Sequence, residues 1–252
     1  MQQRPSCDFS DCPSGEALLA DLEASGLLLV KNVPFQNNVA ILEMAKKLGK
    51  LLVPPGALRN YKIEDDFVYR VEPGCQPGCG PISQTSSEFE FHTDGFCLTD
   101  VPDIVLMLAI KPSECGGETQ FVHINDVMPV LSPQSINWLF DHKYSFPPSI
   151  KRPILAGTEA SPLVAFNPYD VAGMNMNDRS VTDSAYIDTQ LQRSPHVYEF
   201  YRTVRSSLNT QRFQYATGDC LVIDNRKILH ARLPFDGTRL LKRVWIQRES
   251  LN

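Results

Sequence analysis

The stretch Phe89-Glu90-Phe91-His92-Thr93-Asp94-Gly95 decides how this chain is read. Polar and aromatic residues alternate through it, the period of a β-strand. Such a strand puts Glu88, Glu90, His92 and Asp94 on one face and leaves Phe89 and Phe91 to anchor the other. Four ionisable side chains in a row facing a protein interior are costly unless a cation or ligand neutralises them. An imidazole and a carboxylate two residues apart can also reach one ion from neighbouring rungs. The stretch therefore reads as part of a metal site.

One further histidine would complete a two-histidine, one-carboxylate set, which leaves three coordination positions open on iron(II). Besides His92 the chain offers His123, His142, His196 and His230. His142 ends one expected helix and His196 begins another, so both read as surface residues. His123 follows a strand with no other ligand-type residue on its face. His230 lies where two apolar strands flank an Asp224-Asn225 turn. Alone it would read as a structural residue; beside His92 and Asp94 it reads as the third ligand.

Outward from this stretch the pattern is one of short strands. They are expected at residues 27–33, 67–71, 88–94, 104–110, 118–123, 163–167, 212–215, 220–224 and 241–247, separated by Gly, Pro, Asn and Asp. Ser14 can cap a helix carrying Leu18, Leu19 and Leu22, and Gly26 ends it. A second helix covers residues 39–48, and two more are expected at 133–142 and 195–208. Many short strands with few helices predict a mainly β protein with flanking α-helices, a double-stranded β-helix or jelly roll, the helices buttressing one outer face. No repeat or linker marks a second domain, so residues 1–252 read as one. Residues 72–87 and 170–184 have no apolar period and are candidate lids.

Composition narrows the function. The chain has 252 residues, 42% of them hydrophobic, enough for a full core, and a formal charge of -5 with Lys and Arg scattered. Nucleic acid is thus an unexpected partner. No apolar run suggests a signal peptide or a membrane span, and seven irregularly spaced cysteines read as reduced thiols of a cytoplasmic protein. Cys75 and Cys79 form a CxxxC pair, but no second pair lies nearby to complete a zinc site.

Four motifs in order carry a resemblance: His92-Thr93-Asp94-Gly95; Gly116-Gly117-Glu118-Thr119; Asp224-Asn225 leading to His230-Ala231-Arg232; and Phe235-Asp236-Gly237 followed by Arg239 and Arg243. Together they resemble the taurine dioxygenase and clavaminate synthase superfamily of Fe(II)/2-oxoglutarate oxygenases, over residues 27–248. The resemblance implies iron held by His92, Asp94 and His230, with 2-oxoglutarate and O2 as cosubstrates. It gives the distal carboxylate of 2-oxoglutarate to Arg239 and Thr119. Arg243 would lie deeper, near the inner carboxylate of 2-oxoglutarate or an anionic group of the substrate.

The implied reaction turns 2-oxoglutarate into succinate and CO2 and oxidises a C–H bond. Because Asp94 is present, hydroxylation, desaturation or ring closure ranks above halogenation. An amino acid or amino-acid-derived metabolite is the expected substrate, with Glu90 and Glu88 as candidate partners for its cation. Two rivals remain at this level: a metal-dependent hydrolase or isomerase on a similar barrel, and a catalytically silent metabolite-binding jelly roll.

Overall fold

The computed structural model describes residues 5–54, 63–74, 82–146, 149–173 and 184–249. Its larger sheet runs in the order β1 (Ser6–Asp8), β2 (Leu27–Lys31), β15 (Cys220–Asp224), β7 (Ile104–Lys111), β18 (Leu240–Gln247), β5 (Val68–Val71) and β4 (Ile63–Glu64), with β3 (Lys50–Leu51) also paired to β18. A smaller sheet has the order β14 (Gln211–Phe213), β9 (Thr119–His123), β16 (Ile228–Arg232) and β6 (Phe89–His92). Short antiparallel pairs join β8 (Cys115–Gly116) to β17 (Phe235–Asp236), β10 (Tyr144–Phe146) to β11 (Ile150–Arg152), and β12 (Leu155–Thr158) to β13 (Ser161–Val164).

Strand alternation sorts the apolar side chains into layers. Leu27, Leu29, Val105, Leu221, Leu241 and Trp245 of the larger sheet meet Phe121 and Ile228 of the smaller one between the sheets. The alternate residues Leu28, Leu106, Val222, Val244 and Ile246 pack under α1 (Gly15–Ser25) and α2 (Val39–Leu48). On the far side Phe91, Val122 and Leu229 pack under a second group of helices, α3 (Ile124–Val127), α4 (Pro133–Asp141), α5 (Pro168–Val171), α6 (Ser184–Leu191) and α7 (Pro195–Arg205). Helices thus cover both outer faces rather than one. The reason is that both sheets are apolar on both sides and each outer face must be kept from water.

Local chemistry sets the ends of these elements. Ser14 Oγ accepts from Ala17 N–H at 3.4 Å at the start of α1, and Gly26 closes the helix at φ +73°. A β-carbon at Gly26 would come within 2.7 Å of Ile228 Cδ1, so packing and backbone both require glycine there. Helix α6 and the short α3 and α5 were not expected from the sequence; α6 has two buried residues, Ile187 and Leu191, too few for a periodic signal. Cys75 and Cys79, and most of the candidate lids, lie outside the described residues.

Candidate metal centre

His230 and His92 lie opposite each other in register where β16 pairs β6, on the face of the smaller sheet turned to the interior. Their ring centroids are 4.3 Å apart. Asp94 follows β6 and sends Oδ1 to 3.7 Å from His92 Nε2 and 4.0 Å from His230 Nε2. One ligand-type atom from each residue lies within 4.8 Å of the others, and all three residues are buried. The His92 Nδ1–H donates to the Glu90 carbonyl at 2.7 Å, which leaves Nε2 with a free lone pair facing the carboxylate.

Electrostatics prepares this set for a cation. Burial lowers the His92 pKa well below its ordinary value, with the neighbouring His230 ring adding to it, and burial lowers that of His230 as well. Both rings are therefore held neutral, the form that ligates metal. Burial would raise the Asp94 carboxyl, but the Arg243 guanidinium, helped by the Trp245 indole, outweighs it and holds the pKa below the usual range. Arg243 Nη1 lies 3.0 Å from both Asp94 oxygens and Trp245 Nε1 donates to Oδ2 at 2.8 Å. The Arg243 guanidinium itself rests on the rings of Tyr69 and Trp245, at 4.5 and 5.0 Å.

Thr119 and Arg232 are cross-strand partners on the interior face, one rung from Phe121 and His230. Arg239 is 4% exposed, its guanidinium 5.9 Å from the Tyr215 ring and 5.7 Å from the Phe235 ring. Among the described residues no carboxylate forms an ion pair with it. Arg232 shares the Phe235 ring at 5.2 Å and donates to the carbonyls of Ile82, Ser83 and Ser87. Burial, with Arg239 close by, pushes its pKa down to about 9.

Glu90 and Glu88 are not brought to this centre. The ladder steps from His230↔His92 to Arg232↔Phe89, so three residues of β6 span two of β16. This bulge breaks the period of two expected from the sequence. Phe89, not Glu90, ends up beside His92, their rings stacked at 3.8 Å. Glu90 turns to the helix-covered side, where Oε2 lies 3.5 Å from Arg205 Nε of α7. With Glu88, Gln120 and Ala231 it lines a cleft of about 320 Å³ there.

Sequence reasoning gave no role at the centre to two residues that the structure brings to it. Trp245 sits two positions after Arg243 on the same face of β18, and the period of two would have found it. Asn225 was read as a turn residue, yet its amide binds the Asp94 main chain across 131 positions of sequence. No local pattern carries that contact.

This arrangement agrees with the family comparison. Residues 7–245 match the model of the taurine catabolism dioxygenase TauD, TfdA family. The chain belongs to the TauD/TfdA family. Among relatives of this TauD/TfdA chain, a trimethyllysine dioxygenase of Meyerozyma guilliermondii is 25% identical over 185 residues, covering 66% of this chain and 43% of that protein. The chain thus spans less than half the length of that relative. Among solved structures, an asparagine oxygenase in complex with Fe(II), 3-hydroxyasparagine and succinate superposes with a TM-score of 0.69 at 17% identity, covering 94% of this chain and 81% of its own. The non-heme iron oxygenase OrfP with Fe and alpha-ketoglutaric acid gives 0.67 at 17% identity, with 93% and 79% covered. A putative taurine dioxygenase of Burkholderia xenovorans gives 0.66 at 17%, with 99% and 88% covered. These likenesses establish the double-stranded β-helix fold of the TauD/TfdA chain.

Proposed function

We propose that this chain is an iron(II)- and 2-oxoglutarate-dependent oxygenase that oxidises an unactivated C–H bond of an amino acid or a derivative of one, releasing succinate and CO2. The observation that carries the reading is the convergence of His92, Asp94 and His230 within 4.8 Å, in a TauD/TfdA chain. Two neutral imidazoles and one carboxylate are a donor set suited to iron(II) with positions left for cosubstrates. In this reading the three residues hold the iron. Iron(II), when bound with 2-oxoglutarate and O2, supplies the oxidising power. Arg239 and Thr119 bind the distal carboxylate of 2-oxoglutarate, and the buried Arg239, which has no carboxylate paired to it among the described residues, supports that role because such a cation calls for an anion. Arg243 and Trp245 orient Asp94, and the aromatic walls around them exclude water.

The substrate class rests on charge and on the names of relatives. Arg232, Arg239 and Arg243 are all buried, and among the described residues Asp94 pairs with Arg243 while neither Arg232 nor Arg239 forms an ion pair with a carboxylate. A substrate bearing a carboxylate fits that surplus better than a bare cation, and with Glu90 turned away no acid among the described site residues is left to bind an ammonium. The relatives include proteins named for trimethyllysine and bound to 3-hydroxyasparagine. The test is to load the protein anaerobically with iron(II) and 2-oxoglutarate, add amino acids and their derivatives, admit O2, and measure succinate and product mass. Succinate formation with a product heavier by one oxygen is the expected outcome for hydroxylation; loss of two hydrogens marks desaturation or ring closure. Asp94→Ala should make no succinate. Wild-type protein that binds iron yet makes none with any candidate, or an Asp94→Ala variant that still makes it, would sink the reading.

A further inference from the structure

Asn225 occupies the turn between β15 and β16, five residues before His230, and is fully buried. Its side chain does not bond within the turn, as an asparagine in a turn commonly does. Instead Oδ1 accepts the Asp94 N–H at 2.8 Å, while Nδ2 donates to the Asp94 carbonyl at 3.0 Å and to the Pro102 carbonyl at 2.7 Å. One primary amide thus satisfies both polar groups of the Asp94 main chain, as a neighbouring strand would. It is needed because β6 ends at His92, and Asp94 has no ladder partner of its own. The chain then turns sharply at Gly95, φ +78°, where a β-carbon would fall 2.6 Å from Pro102 Cδ. Asn225, Pro102 and Gly95 form one fixed corner under the carboxylate.

We infer that Asn225 is a positioning residue for the metal centre: its amide locks the Asp94 main chain to the turn that leads into His230, so that ligands from β6 and β16 keep one spacing. The inference rests on the reading of Asp94 as an iron ligand. The Arg243 and Trp245 bonds direct the carboxylate, while the amide holds the main chain from which it springs. The turn is held in its own right, with Asn225 N–H donating to the Asp103 carbonyl at 2.9 Å and Asp224 Oδ2 paired to Arg248 Nη2 at 2.9 Å. Only an amide fits all three bonds. A carboxylate can accept from the Asp94 N–H but sets an oxygen against two carbonyls, and alanine makes none of them.

The test compares Asn225→Asp and Asn225→Ala with wild type, Asp94→Ala and the turn control Asp224→Asn. Iron(II) affinity is read anaerobically by equilibrium dialysis, and hydrogen exchange of the Asp94 amide is read in the metal-free protein. Both Asn225 variants should bind iron at least about tenfold more weakly, the size of effect seen when a group supporting a ligand is lost. The Asp94 amide should exchange faster in Asn225→Ala but stay protected in Asn225→Asp. Asp224→Asn should lose stability and keep its iron, a separation that a general loosening of the turn would not give. An Asn225 variant that folds and binds iron within about twofold of wild type overturns the inference, as does failure of both variants to fold, which would make Asn225 a determinant of the fold. Asp94→Ala that still binds iron would instead overturn the assignment of the ligand.

Discussion

Arg239 shows how much one buried charge implies about the site around it. A guanidinium 4% exposed, between aromatic faces and without an acid among the described residues, is costly in the free protein and repaid by a bound anion. Arg239→Ala should therefore weaken 2-oxoglutarate binding by about 3 kcal/mol, roughly a hundredfold. Anaerobic titration of the iron-loaded protein measures this, and near-normal affinity would place the anchor elsewhere. Arg239→Lys should recover part of the loss, since it keeps the charge but not the two-pronged geometry.

Helices α4 and α7 meet at one acid. Glu199 of α7 accepts from Ser132 N–H at 2.6 Å, Ser132 Oγ at 2.8 Å and Ser135 Oγ at 2.5 Å, at the N-terminus of α4. Partial burial raises its pKa, but these hydrogen bonds and His196 outweigh that and lower it. A depressed carboxyl pKa adds stability above the unfolded value and loses it as pH falls through the folded one. Glu199→Gln should thus melt a few degrees, about 2–4 °C, below wild type at neutral pH, and the gap should close as the pH falls below the ordinary glutamate range. A gap that is constant with pH would show that the charge is not what matters.

Elements were the most legible level of the sequence, and β6 shows where legibility ended. Helix α2 falls on residues 39–48 and β15 on 220–224, as read, because apolar period and end signals agree there. The candidate ligands His92, Asp94 and His230 could be named because residue type and order are printed in the chain. The faces of Glu90 and Glu88 could not, since a bulge depends on what the neighbouring strand does. Asn225 was hidden for the same reason: its partner is set by how the two sheets close, and not by its neighbours in sequence.

At the scale of the whole molecule the sheets are held together by one interior layer, and the centre lies within it. Phe121, 1% exposed, stands beside His230 in register and joins the apolar residues of the larger sheet. Phe121→Ala should cost about 3–5 kcal/mol in denaturant unfolding, and a loss under about 1 kcal/mol would mean the sheets do not depend on this layer. The same interior holds Arg232, Arg239 and Arg243 inside a chain of net charge -5. Paired without the bulge, the same residues of β6 would set Glu90 opposite Arg232, where a carboxylate could answer that guanidinium. One irregularity in an edge strand thereby decides whether that buried cation is answered from across the ladder.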